Sequence, residues 1–134
     1  AVVLAMTSNQ GARDFQFLES NGVPIYESVV KKCKEWGSDK NTMFVVGATR
    51  SEDISKMRSL APNHFFLVPG VGAQGGNLKE VCKKTINQNV GVIINSSRGI
   101  IYSGNDENFD REAAKQAISL KKQMEEILID SKLI

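Results

Sequence analysis

At 134 residues the chain has the length of one small domain, and 41% hydrophobic with 24% charged residues is the composition of an ordinary globular protein. The 17 basic and 15 acidic side chains are interspersed and leave a formal net charge of +2, so there is no basic stripe of the kind a nucleic acid requires. No apolar run approaches the roughly 18 residues of a membrane-spanning helix.

The chain opens on Ala1-Val-Val-Leu-Ala5, directly on a core-like strand, without initiator Met, signal peptide or polar lead-in. That is the start expected of an excerpt from a longer protein. The first strand runs from Val2 to Met6 and empties into Thr7-Ser8-Asn9-Gln10-Gly11. A helix is expected from about Pro24 to Trp36, with Pro24 near its first turn, Gly37 as its stop, and Tyr26, Val29, Val30, Cys33 and Trp36 on its apolar face.

The second strand, Met43 to Val46, ends in Gly47-Ala48-Thr49. Thr49-x-x-Glu52 has the form of a capping box for a helix carrying Ile54, Met57 and Leu60 and stopped by Pro62. His64 then precedes the third strand, at the end away from the strand's exit, and is not expected to take part in catalysis.

Phe65 to Val68 lead into Pro69, after which Gly70, Gly72, Gly75 and Gly76 surround Gln74. Asn77, with Glu80 three residues on, caps a helix from Leu78 to about Ile86. Glycines allow positive φ and close backbone approach, and a helix N-terminus suits phosphate. Taken alone, such a loop is equally a plain strand-to-helix turn. It matches neither the GxGxxG fingerprint nor the P-loop.

The fourth strand, Val90 to Ile94, leads to Asn95-Ser-Ser-Arg98-Gly99. A last helix starts near Asp110 and reaches about Asp130, with Ala113, Ala117, Leu120, Met124 and Ile127 as its core-packed stripe. Lys31-Lys32, Lys83-Lys84 and Lys121-Lys122 fall on solvated helix faces. Cys33 and Cys82, with no CxxC and a single histidine, read as free buried or half-buried thiols of a reducing cytoplasm rather than zinc ligands.

Strands alternating with helices, each strand a short apolar run, predict a parallel α/β sheet. Ligand chemistry then belongs where the strands end, and all four ends are polar, glycine-rich or both. Arg98 offers a planar fork for phosphate, with Ser97 adding a hydroxyl and an N–H; a surface guanidinium paired with an acid is the plainer alternative. Ser8 likewise reads either as a ligand or as a turn hydroxyl.

Thr7-Ser8-Asn9, Val46-Gly-Ala-Thr49, Leu67-Val-Pro-Gly-Val-Gly-Ala-Gln-Gly-Gly76 and Asn95-Ser-Ser-Arg-Gly99 together resemble the orotidine 5'-phosphate decarboxylase family, in the branch found in many bacteria and in apicomplexan parasites. The resemblance covers nearly the whole chain, residues 1–134 as one unit, in order. It implies a (β/α)8 TIM barrel, of which this chain is the C-terminal half, strands five to eight, since a complete barrel takes about 250 residues.

The resemblance assigns Gln74, Ser97 and Arg98 to the substrate phosphate, Thr7 and Ser8 to the pyrimidine edge, and Pro69 and Gly70 to the wall beside the base. It implies orotidine 5'-monophosphate and UMP as ligands, no metal or cofactor, a cytoplasmic location and a homodimer at full length. The departures are Ala5-Met6 where a lysine is common and Gln10 where a proline is common. No Asp-x-Lys-x-x-Asp array is present, so no catalytic residue is assigned to this chain, and alone it is expected to be inactive. Two alternatives are another phosphate-binding barrel enzyme, with its own charged constellation, and a non-catalytic half-barrel that binds phosphate compounds or pairs with itself.

Overall fold

A computed structural model describes residues 1–48, 51–71 and 77–134. In chain order the elements are β1 (Val2–Met6), α1 (Ala12–Phe15), β2 (Glu19–Ser20), β3 (Val23–Pro24), α2 (Ile25–Trp36), β4 (Met43–Val46), α3 (Ser51–Leu60), β5 (Phe66–Pro69), α4 (Leu78–Thr85), β6 (Val92–Asn95), α5 (Arg98–Ile101) and α6 (Phe109–Asp130). The strands β1, β4, β5 and β6 form one parallel sheet in that order, each paired with the next long strand in sequence. Parallel neighbours cannot be joined by a hairpin, so a crossover lies between each pair.

The register assigns side chains to two faces. Val3, Phe44, Phe66 and Val92 are lateral partners on one face, and Leu4, Val45, Leu67 and Ile93 on the other. The first face is the core: Phe44, Val46, Phe66 and Val68 are fully buried among Tyr26, Val30, Ile54, Met57, Val81 and Cys82 from α2, α3 and α4. On the second face Leu4 is 62% and Ile93 48% exposed. The register slips between Leu4 and Met6. This β-bulge turns both Ala5 and Met6 into the core and re-aims the exit of β1.

The four long strands lie where the apolar runs predict them, within two residues. The helices α2, α3, α4 and α6 also agree, and Asn77 Oδ1 accepts the Glu80 N–H at 3.1 Å as the capping pattern requires. The Thr49 capping box lies outside the described residues. Cys33 is half-buried, Cys82 buried, and both are free thiols. Among the described residues no helix is long and apolar enough to cross a membrane.

Three expectations need correcting. Trp36 is not packed: it is 75% exposed, with the Lys32 ammonium 5.9 Å from its ring, and Val29 is also at the surface. The α2 stripe is therefore narrower than its spacing suggests, and Tyr26 and Val30 carry it. No residue of α6 is buried; Leu120, Met124 and Ile127 pack at the core margin, while Ala117 faces solvent. Finally, a hairpin of β2 and β3 precedes α2, turned by Asn21 and Gly22 at φ 54° and 74°. Asn-Gly with both residues at positive φ is the preferred two-residue hairpin turn, so the signal was in the sequence.

The end of the sheet where strands enter is tied by Arg58 on α3. Its guanidinium donates to the carbonyls of Ala61, Pro62, His64 and Gly91 at 2.8–3.2 Å and lies 3.7 Å from the Phe66 ring centroid. Burial lowers its pKa to about 10, so it stays a cation at neutral pH. Next to it the buried His64 ring, 5.3 Å from Phe44, has neither nitrogen hydrogen-bonded. Lys56 of α3 pairs with the buried Glu27 carboxylate of α2, holding the two helices together.

Desolvation, with Lys34 and Arg58 nearby, holds the His64 pKa below its ordinary value, only partly opposed by Asp39. The unfolded chain therefore takes up this proton first as pH falls, and folding loses stability from about pH 6.5 downward. Urea denaturation at about pH 7.5 and about pH 5.5 is expected to show a smaller stability loss on acidification in His64→Phe than in the parent chain. Equal losses in the two proteins contradict this account.

Candidate functional site

The parallel sheet brings four strand exits to one edge. At the first, Thr7 and Ser8 follow β1, both half-buried. At the second, Gly47 donates its N–H to Met6 O at 2.8 Å. A Cβ on Gly47 would lie 2.2 Å from Ser8 Oγ and 2.6 Å from Ser8 N. Only a residue without a side chain lets these two exits approach so closely. The next residue continues the chain of contacts, with Ala48 N–H donating to Pro69 O at 3.1 Å. Pro69 in turn is the lateral partner of Asn95. Thus Ser8, Gly47, Pro69 and Asn95 follow one another along the exit edge by direct neighbour contact.

Gly70 takes φ 91°, a conformation that side chains resist, so the chain leaves β5 through a turn that needs glycine. Between Pro69–Val71 and Asn95–Arg98 lies a recess of about 130 Å³. It holds five of the residue types the sequence reading singled out: Pro69, Gly70, Asn95, Ser97 and Arg98. Asn95 Nδ2 donates to Ser97 Oγ at 3.4 Å, a long bond that leaves the serine hydroxyl proton available. Arg98 is exposed and pairs with no carboxylate among the described residues, unlike the surface ion pair its charge could have formed. Gln74 lies outside the described residues.

A larger cleft of about 460 Å³ lies behind this recess, between α6 and the first turn of α4. The two share Val71 and Ser96. The strand exits and Arg98 converge on the smaller recess, whereas half of the larger cleft's lining comes from α6. His64 sits at the opposite end of β5, as expected. Lys56 is engaged with Glu27, and Lys40 lies in the turn before β4. Among the described residues no cluster of three or more His, Cys, Asp or Glu side chains could hold a metal.

Two residues of this edge escaped the sequence reading. Ser96, given no role by the sequence, lines both cavities. Gln16, after α1, accepts the Thr7 N–H on its Oε1 at 2.8 Å and donates from Nε2 to Thr7 Oγ1 at 3.0 Å. The nine-residue gap between them corresponds to no strand or helix period, so no pattern could have revealed the contact.

With this geometry in place, comparisons with known proteins are informative. The profile of the orotidine 5'-phosphate decarboxylase / HUMPS family matches residues 1–117. The chain is 49% identical over 128 residues to the orotidine 5'-phosphate decarboxylase of Phocaeicola vulgatus, covering 95% of this chain and 47% of that protein. It is 46% identical over 131 residues to the enzyme of Flavobacterium johnsoniae, covering 98% and 48%. Among solved structures it is similar to UMP synthase of Leishmania donovani, with TM-score 0.76, 35% identity, and coverage of 94% of this chain and 26% of that one. The Leishmania donovani OMP decarboxylase gives TM-score 0.75 at 30% identity, with coverage of 94% and 47%. The chain spans about half the length of the curated relatives it matches.

Gly47→Ala tests the close approach of the first two exits. The new methyl group must push Ser8 away, and we expect a stability loss of about 1–3 kcal/mol with amide shifts concentrated at residues 7–9 in NMR spectra. Unchanged stability and unchanged Thr7 and Ser8 amides would show that the two loops are not in contact.

Proposed function

This chain belongs to the orotidine 5'-phosphate decarboxylase / HUMPS family, and from that premise we propose that the protein it represents decarboxylates orotidine 5'-monophosphate to UMP in pyrimidine biosynthesis. The observation that carries this reading is the recess between Pro69–Val71 and Asn95–Arg98, placed on the same edge as Thr7 and Ser8. A cation with five N–H donors, a hydroxyl and a glycine turn on one side of a small cavity suit a phosphate. Polar groups two strands away suit the edge of a base.

In this reading Arg98, Ser97 and Gln74 hold the phosphate, Pro69 and Gly70 flank the pyrimidine, and Thr7 and Ser8 meet its polar edge. The sheet is the C-terminal half of a (β/α)8 barrel, strands five to eight. The Leu4–Val45–Leu67–Ile93 row, exposed at Leu4 and Ile93 and half-buried between them, supports this placement, because a barrel's inner face is filled with such aliphatic layers. The active site of such a barrel lies at the strand exits, where these residues converge.

In the reaction the bond from the pyrimidine C6 to the carboxylate breaks and CO2 leaves. The electron pair stays on C6 and takes a proton from a lysine of the Lys/Asp array that the family resemblance implies on the earlier strands. Every atom and charge is accounted for by substrate and side chains, so the proposed step calls on no metal or organic cofactor. This half of the site binds and orients. Contacts to the remote phosphate lower the barrier when their binding energy closes and orders the site. The resemblance further implies a cytoplasmic homodimer. Among other barrel enzymes acting on phosphate compounds, the decarboxylase is favoured by the near-half identity to the named decarboxylases.

Arg98→Ala in the full-length enzyme is expected to lower kcat/KM by on the order of 2–3 kcal/mol in transition-state binding, with a smaller loss for Gln74→Ala. Unaltered catalytic efficiency in Arg98→Ala rules out the phosphate assignment. The 134-residue chain assayed alone is expected to release no UMP from orotidine 5'-monophosphate. Turnover by it would place the reacting lysine within these residues.

A further inference from the structure

We propose that Gln16 is a positioning residue that fixes the loop after β1 so that Ser8, and not Thr7, presents its hydroxyl to the pyrimidine. The inference rests on the pyrimidine reading of this loop and deepens it. Thr7 is the first residue beyond β1, where the ladder ends and its N–H has no strand partner to meet. The Gln16 side chain supplies that partner at 2.8 Å, and its other amide atom donates to the hydroxyl of the same residue at 3.0 Å. One planar amide thus holds Thr7 at two points, which sets the rotation of the peptide leading into Ser8.

The hydroxyl of Thr7 is then committed. It accepts from Gln16, and its single proton goes to Asn9 Oδ1 at 2.5 Å, closer than the alternative Gln16 Oε1 at 3.3 Å. A hydroxyl that already donates within the loop has no proton left for a substrate carbonyl. Ser8 follows it, seated against Gly47 at the exit edge. The base contact therefore falls to Ser8, with Thr7 as part of its support.

Gln16 is itself well anchored. Its N–H donates to Ala12 O at 2.8 Å, and its carbonyl accepts from Tyr26 N–H at 3.0 Å. Tyr26 is buried in the core, its ring tilted 54° to that of Phe17 at 5.3 Å. The clamp on Thr7 is thereby referenced to α2, a twelve-residue helix in the core, rather than to another loop. These backbone bonds do not depend on the side chain, so substitutions at this position test the amide alone.

The test compares two ligands that differ by the base. UMP and ribose 5-phosphate are titrated calorimetrically into the full-length protein, its Gln16→Met variant and its Gln16→Glu variant. The parent is expected to bind UMP more tightly than ribose 5-phosphate. Gln16→Met should lose about tenfold for UMP and nothing for ribose 5-phosphate. Gln16→Glu retains an acceptor for the Thr7 N–H, and should recover most of the UMP affinity. Full UMP affinity in Gln16→Met overturns the inference, as does an equal loss for both ligands or a failure of Gln16→Glu to recover. A parent protein that does not distinguish the two ligands overturns the pyrimidine reading of the loop, and this inference with it.

Discussion

Parallel pairing of each long strand with its successor is the constraint from which the other features follow. Parallel strands need a crossover, and crossovers of one hand return over the same face. The helices α2, α3 and α4 consequently cover Phe44, Val46, Phe66 and Val68, while Leu4 and Ile93 on the reverse face stay exposed. The same constraint brings all four C-terminal strand ends to one edge. Residues as far apart in sequence as Ser8, Gly47 and Asn95 share that edge without any long-range contact being specified individually.

The two ends of the sheet are built differently. At the entry end polar groups are buried to hold structure: Arg58 satisfies four carbonyls, those of Ala61, Pro62 and His64 between α3 and β5 and that of Gly91 before β6. A buried guanidinium is tolerable when most of its donors are used and its face rests on an aromatic ring; here both terminal nitrogens donate, only the buried Nε is left without a partner, and the face rests on Phe66. At the exit end the polar groups are left accessible. Among the described residues Arg98 makes no ion pair, and the Asn95 and Ser97 side chains are joined by one long hydrogen bond. The same residue type thus serves packing at one end and is exposed without a carboxylate partner, among the described residues, at the other.

Most of this arrangement is legible in the sequence, because the strands are short apolar runs and the exits are polar. Met43–Val46 and Val2–Met6 are recovered to the residue. The fourth strand begins two residues later than its apolar run, since Val90 and Gly91 take φ 65° and 63° in a turn instead of extending. Trp36 and Ala117 fit a helical period but find nothing to pack against, since periodicity gives a direction and not a partner. Gln16 shows the complementary failure: its contact with Thr7 is real, but a side chain bonding nine residues back leaves no periodic trace.

Under the proposed reading, the recess at the exit edge also explains how half of a barrel binds a substrate without reacting. Phosphate recognition needs a cation, a few donors and a fixed backbone turn, and adjacent strand exits can supply all of these. Breaking a carbon–carbon bond needs charges placed opposite the reacting carbon, on the far side of the base from the wall that Pro69 and Gly70 form in this reading. A single curved sheet presents its exits along one arc, so it reaches a ligand from one side only. In the same reading, the sheet face bearing Leu4 and Ile93, both exposed, is the side from which the opposing groups come. Under that reading, binding and reaction divide between the two halves because of the sheet's geometry, and the contacts most distant from the reacting carbon are the ones this chain provides.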